Sequence, residues 1–235
     1  MSMTKKRLSS IKQDIIAACL RMNQTGLNQG TSGNISARNG VGFVITASGV
    51  RYDGMEQHHI VEMDLQSGYR GEFLPSSEWR MHMDIYAACP DAQAIVHTHS
   101  PYATAVSSLR KDVPAFHYMV AAAGGNTLRC ADYATFGTQE LSDNMLAALE
   151  SRSACLLANH GMICFGKNLD AAFSLGVEVE ALCRQYAIAC QMGKPVILKD
   201  AEMANVLERF KTYGKQPAET EKSDSPAVFA PVRRD

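Results

Sequence analysis

Residues 94–98, Ala-Ile-Val-His-Thr, constrain the fold more than any other stretch. The run is short and apolar; Pro90 stops the segment before it, and Ser100-Pro101 begins a new one. That punctuation predicts a buried strand between two helices, with Ser100 as N-cap and Pro101 at the first helical position. The run carries His97, and His99 follows after a single residue. In extended chain, residues two apart face the same side, so both imidazoles must find a use in one place.

The remaining pattern builds layers around that strand. Leu8, Ile11, Ile15, Ile16 and Leu20 recur at helical spacing across residues 5–23, and Gly26 ends the run. Residues 34–38 and 42–46 read as an antiparallel hairpin, and residues 60–64 as a further strand followed by a Gly-Ser turn. A helix is expected from Pro75-Ser76-Ser77 to Cys89, another over 138–151, a long amphipathic one over 168–192, and a last one over 200–213 closed by Gly214. Between them "ACLLANHGMICFG" reads as two short strands around a turn. Residues 1–214 form one domain in this reading, a three-layer α/β arrangement with a central, mostly antiparallel sheet. The proline-rich polar tail 215–235 reads as mobile.

Charge excludes some partners. With 23 Lys and Arg against 24 Asp and Glu, nothing favours nucleic acid or an anionic membrane. No apolar stretch reaches the roughly 20 residues of a membrane span, and no apolar segment follows the basic start as a secretion signal would. Seven scattered cysteines without C-x-x-C fit reduced thiols in a cytoplasmic protein.

Two clusters carry chemistry. His97, His99, His160 in "ANHGM" and Glu78 after "PSS" compose an open nitrogen and oxygen set suited to a catalytic Zn2+. On spacing alone, H-x-H serves a metal site and satisfied core histidines equally well. "GTSGNIS" (30–36), "TASGV" (46–50) and "PSSE" (75–78) are three loops that could present N–H groups and hydroxyls to a phosphate, although each alone reads as an ordinary turn. His58, His59 and His82 lack spacing to the metal set and read as surface or packing residues.

Eight motifs in order, "LNQGTSGNIS", "ITASGV", "LPSSEWRMH", "VHTH", "HYMVAAAGGN", "YATFGTQELS", "ANHG" and "FKTYG", resemble the class II aldolase and ribulose-phosphate 4-epimerase family, most closely its bacterial L-fuculose-1-phosphate aldolase branch. The resemblance runs from about residue 6 to residue 214. It implies a homotetramer with active sites between subunits and one Zn2+ per subunit, held by His97, His99, His160 and, without substrate, Glu78. It implies a phosphate pocket of Thr31, Asn34, Ser48, Gly49, Ser76 and Ser77, and an aldehyde end lined by Phe136 and Phe210. Glu78 then acts as general base and acid, Tyr118 reaches a neighbouring subunit's active site, and Tyr213 lies over the substrate. The implied reaction is reversible cleavage of a ketose 1-phosphate, L-fuculose 1-phosphate first, to dihydroxyacetone phosphate and L-lactaldehyde.

The resemblance also leaves alternatives. Asn159 stands where the fuculose-phosphate pattern has another histidine, so 5-deoxyribulose or methylthioribulose 1-phosphate is the runner-up substrate. A 4-epimerase or a decarboxylase would use the same site. The non-catalytic adducin head is expected to lack the metal histidines, all of which are present here.

Overall fold

The computed structural model describes residues 3–212. The chain runs α1 (Met3–Gln24), β1 (Asn34–Asn39), β2 (Gly42–Thr46), β3 (Ile60–Met63), β4 (Tyr69–Arg70), α2 (Trp79–Ala88), β5 (Ala94–Thr98) and α3 (Pro101–Ser107). It continues through β6 (Val113–Pro114), β7 (Thr127–Leu128), β8 (Cys130–Ala131), α4 (Gln139–Ala148), β9 (Ala154–Leu157), β10 (Gly161–Gly166), α5 (Leu169–Met192) and α6 (Asp200–Phe210). Eight strands form one sheet in the order β4-β3-β2-β1-β5-β10-β9-β8, antiparallel except for the β8–β9 pair. This is the three-layer, mostly antiparallel α/β fold expected.

Alternation along the strands decides what each layer covers. Ile35, Val44, Val96, Leu156 and Met162 face α1, α3 and α5, where Ile15, Met22, Val106, Phe173 and Val179 meet them. Phe43, Ile45, Ile95, Leu157 and Ile163 face α2 and α4 through Met81, Ile85, Leu141 and Met145. Burying two such faces supplies most of the drive to fold. All seven cysteines are free thiols, and Cys19, Cys155, Cys164 and Cys183 are buried. No helix among the described residues is long and apolar enough to cross a membrane.

Several boundaries depart from the sequence reading. β4, β6, β7 and β8 are two-residue strands that exist only because a partner edge is present, so no local pattern marks them. α4 ends at Ala148 and α6 at Phe210, where the chain turns through Lys211 and Thr212. Thr138 and Asn168 cap α4 and α5 with their side chains, accepting from Leu141 and Ala171 N–H. Ser100 precedes α3 but does not cap it with its hydroxyl. Glu180 of α5 does so instead, accepting from the N–H groups of Tyr102 (2.9 Å) and Ala103 (2.8 Å). A carboxylate brought by another helix also suits the positive end of α3, which a hydroxyl does less well.

Candidate metal centre and active-site cavity

The central strand places the first ligand. In β5, His97 lies opposite Asn34 of β1 and Ile163 of β10, fully buried and on the α2/α4 side with Ile95. Its Nδ1 donates to the Met162 carbonyl at 2.8 Å, which leaves Nε2 as the ring nitrogen turned to the site. His99 follows one residue past the strand end. His160 closes the β9–β10 turn after Asn159, which has φ 53°, a left-handed value that asparagine tolerates better than most side chains. Gly33 (φ +74°) backs the centre, where an added Cβ would lie 2.7 Å from the His97 carbonyl oxygen.

Glu78 comes from the other layer. It is the N-cap of α2, yet its carboxylate caps nothing and turns toward the histidines. The serines expected to start this helix do something different: Ser76 Oγ accepts from Glu78 N–H at 3.3 Å. His97 Nε2 lies 3.0 Å from His99 Nε2 and 3.1 Å from Glu78 Oε2, and His160 Nε2 lies 2.9 Å from Glu78 Oε1. The four ligand atoms all fall within 4.8 Å of one another, and the three rings meet edge to face.

This donor set fits a divalent cation. Lone pairs and carboxylate oxygens converge with too few protons to pair them all, and Glu78 Oε1 is buried without a well-aligned hydrogen bond. Burial pushes the Glu78 carboxyl up, but the charges and hydrogen bonds of His97 and His160 outweigh it and hold Glu78 well below the carboxylate range. Burial also pushes His97 down, and Glu78 with the Met162 carbonyl reverses that, so His97 sits above the ordinary histidine value. His99 falls to about 3 through burial and the charges of His97 and His160. A ring that resists protonation keeps its lone pair for a metal.

The centre opens into a cavity of about 360 Å³. Thr31, Asn34, Ser48, Gly49, Ser76 and Ser77 line it, together with Glu78, His99 and His160. Phe136 also lines it, along with Tyr133 and Asn159, which had no predicted role there. The three polar loops are not all free, because two are laced together: Ser76 N–H donates to the Thr46 carbonyl (2.9 Å) and Ser48 N–H to the Leu74 carbonyl (3.1 Å). Those two N–H groups are spent. The hydroxyls and the N–H groups of Gly49 and Ser77 are outside this lacing.

Two predicted residues lie elsewhere. Tyr118 is half exposed at the start of a short 3-10 segment and is not on this chain's cavity wall. Phe210 is not on that wall either; it packs partly buried against a satellite cluster of Ala115, Val120, Ala121, Leu182 and Met203. Tyr118 is the tyrosine expected at a neighbour's active site and not at its own, and α6 folding back over the 3-10 segment holds Phe210 beside it, a contact with no local signature. Tyr213 and the 215–235 tail lie outside the described residues.

One residue was underrated. His82 is fully buried, with Nε2 2.5 Å from Asn34 Oδ1 and Nδ1 2.7 Å from Ser36 Oγ. Asn34 Nδ2 in turn donates to Glu78 Oε2 at 2.9 Å. The available signal was spacing: His82 stands four residues after Glu78, on the same face of α2.

Comparison with known proteins agrees with this geometry. The Class II Aldolase and Adducin N-terminal domain family matches residues 13–187. A 5-methylthioribulose-1-phosphate/5-deoxyribulose-1-phosphate aldolase of Rhodospirillum rubrum is 51% identical over 205 residues, 87% of this chain and 93% of that protein. An L-fuculose phosphate aldolase of Escherichia coli is 48% identical over 207 residues, 88% of this chain and 96% of that protein. A solved L-fuculose 1-phosphate aldolase superposes with a TM-score of 0.84 at 42% identity, covering 86% of this chain and 97% of the other. With the three histidines and the glutamate assembled at one point, the chain belongs to the class II aldolase and adducin N-terminal domain family and is a class II aldolase, a lyase.

Proposed function

We propose that the chain cleaves a ketose 1-phosphate reversibly to dihydroxyacetone phosphate and a short aldehyde. L-fuculose 1-phosphate, which gives L-lactaldehyde, is the first substrate reading. The observation that carries the proposal is the company kept by one cavity. Hydroxyl-rich loops, the Glu78 carboxylate with His99 and His160, and the aromatic side chains Phe136 and Tyr133 all line it. A phosphate, a reacting carbon and an apolar terminus could each be met there.

The residues then divide the work. Thr31, Asn34, Ser48, Gly49, Ser76 and Ser77 bind the phosphate and orient the sugar, providing binding energy remote from the bond that breaks. His97, His99, His160 and Glu78 hold a divalent ion, with Zn2+ the choice that fits three imidazoles and a carboxylate. When bound, that ion supplies Lewis acidity toward the negative charge left on the dihydroxyacetone phosphate half. Glu78, buried beside the reacting carbon, moves the proton there as general base and acid. No Schiff-base lysine is needed. Tyr118, exposed and away from its own cavity, is supplied to a neighbour in a homotetramer and protonates the aldehyde-side oxygen. Phe210, which packs beside the Tyr118 segment, accompanies it to the aldehyde end, and Tyr213, outside the described residues, is the further candidate to act on the substrate. A cytoplasmic location accords with a phosphorylated substrate.

The Rhodospirillum rubrum relative favours a second reading, 5-methylthioribulose or 5-deoxyribulose 1-phosphate. An apolar wall of Phe136 separates a methyl from a methylthio terminus by only about 1–3 kcal/mol, so both reactions are expected at unequal rates. The test is release of dihydroxyacetone phosphate from L-fuculose, 5-deoxyribulose and 5-methylthioribulose 1-phosphates, with and without a chelator, and with His97→Ala as control. Chelator-sensitive release ranks the substrates. No release from any of them by metal-loaded protein would overturn the ketose 1-phosphate reading.

A further inference from the structure

A polar seam runs through the core behind the metal centre. Glu78 at the N-cap of α2 and His82 and Tyr86 within it stand four apart, and Asn34, Ser36 and Arg38 stand two apart on β1. Four helical residues rise about 6 Å and two strand residues about 6.7 Å, so the two rows stay in step. Tyr86 Oη is 2.8 Å from Ser36 Oγ, which is 2.7 Å from His82 Nδ1. His82 Nε2 reaches Asn34 Oδ1, and Asn34 Nδ2 reaches Glu78 Oε2. Arg38 anchors the far end, donating from Nη2 to the Tyr86 carbonyl at 2.6 Å. Asn34, Ser36, His82 and Tyr86 are each at most 2% exposed, so the middle of the chain of bonds is shut off from bulk water.

Elementary donor and acceptor counting gives the chain one direction. A carboxylate can only accept, so Asn34 must turn its NH2 to Glu78 and its oxygen to His82. His82 must then carry its proton on Nε2, which leaves Nδ1 to accept from the Ser36 hydroxyl. Ser36 Oγ accepts in turn from the Tyr86 hydroxyl. Reversing any one bond puts two acceptors or two donors face to face in a dry interior, at the cost of an unsatisfied buried group.

We propose that His82 is a positioning residue of this active site: as the neutral Nε2–H tautomer it locks the Asn34 amide, so that an N–H donor stays fixed on the Glu78 carboxylate. Without that lock the amide is free to turn its oxygen toward Glu78, and the carboxylate loses a side-chain donor that is independent of the metal histidines. The second Asn34 N–H remains for substrate, which couples the phosphate side of the cavity to the proton-moving group. The inference rests on the reading of Glu78 given above.

Two variants of the full chain test it. His82→Leu fills the space without a donor or acceptor; His82→Gln keeps one of each. Measured on the metal-loaded protein with whichever ketose 1-phosphate the native chain cleaves, His82→Leu is expected to lower kcat about 10–100-fold with KM changed less than about threefold. Zn2+ affinity, read by chelator competition, is expected to fall about tenfold, and His82→Gln to recover most of both losses. Imidazole 15N NMR of the metal-free native chain should show His82 protonated at Nε2. Native kcat and zinc affinity in His82→Leu, equal impairment in both variants, or an Nδ1–H tautomer would each overturn the proposal. If His82→Leu fails to fold, the tautomer and the His82→Gln measurements decide. If the native chain cleaves none of the sugars, the substrate reading fails, while zinc affinity and tautomer still judge His82.

Discussion

Both faces of the same sheet bury apolar clusters, but only one of them sets a polar seam among its apolar residues. Toward α1, α3 and α5, strands β1, β5 and β10 present Ile35, Val96, Met162 and Cys164, all buried and apolar. Toward α2 and α4 the alternate residues of those strands include Asn34, Ser36 and His97, which meet Glu78, His82 and Tyr86. Neighbouring residues of a single strand thus serve stability on one side and chemistry on the other. Burying ionisable groups costs free energy unless each is paired, and pairing here depends on complete hydrogen bonding and a cation. The dry face offsets that cost, and the low-dielectric seam in return strengthens every polar contact it holds.

Variants on the two faces should therefore separate activity from stability. The largest effect is expected from His97→Ala: loss of bound metal by elemental analysis and a fall in aldol cleavage of at least about 10³-fold, since several kcal/mol of charge stabilisation disappear. Its melting temperature without metal should fall while the chain still folds, because Glu78 loses a buried charge partner, the Met162 carbonyl loses its donor and the ring leaves a cavity; a collapse of the fold would blur the division between the faces. On the dry face, Leu156→Ala should cost about 2–5 kcal/mol in denaturant unfolding while kcat of the folded fraction stays native. A large loss of kcat there would show that the faces are coupled.

Acid should act through the polar face. The His82 ring is driven to about 3 by burial and by the charge of His97, against a partly opposing pull from Glu78, whereas its ordinary value is 6.5. An unfolded chain takes up this proton below pH 6.5 and the folded chain does not until near pH 3. Stability of the metal-free protein should thus fall as pH drops through that window, by up to about 1.4 kcal/mol per pH unit for this one ring. His82→Gln should flatten the slope, and an unchanged slope would assign the acid sensitivity to other groups such as His99. The smallest effect is expected at the sheet margin. Glu62→Gln removes an ion pair with Lys12 at 3.4 Å and should change stability by less than about 1 kcal/mol, with activity untouched.

The sequence was most legible where structure is local. Asn34–Arg38, Gly42–Thr46 and Ala94–Thr98 could be read as strands because alternation and turn residues mark them, and Thr138 and Asn168 announce their helices by capping chemistry. Ser100 is the N-cap of α3 with Pro101 after it, as its sequence suggests, but nothing nearby reveals that Glu180, far along the chain, accepts from the first N–H groups of that helix. The packing of Phe210 is likewise illegible locally, since its neighbours in space belong to the Val120 cluster. The role of His82 is not legible from spacing to H-x-H, because its partners Asn34 and Ser36 lie 48 and 46 residues away.

By itself the sequence determined the element types, the strand that carries His97, the residue types able to bind a metal and a phosphate, and the motifs that tie the chain to its family. Those features depend on backbone geometry and side-chain chemistry over a few residues. The tertiary structure alone decided that His160 and Glu78 join His97 and His99 within 4.8 Å, that the loops at 46–49 and 74–77 are laced, and that α2 and β1 run in step. Strand order and helix docking set those distances, and they arise from burying both faces of the sheet at once, a balance no local stretch of sequence encodes.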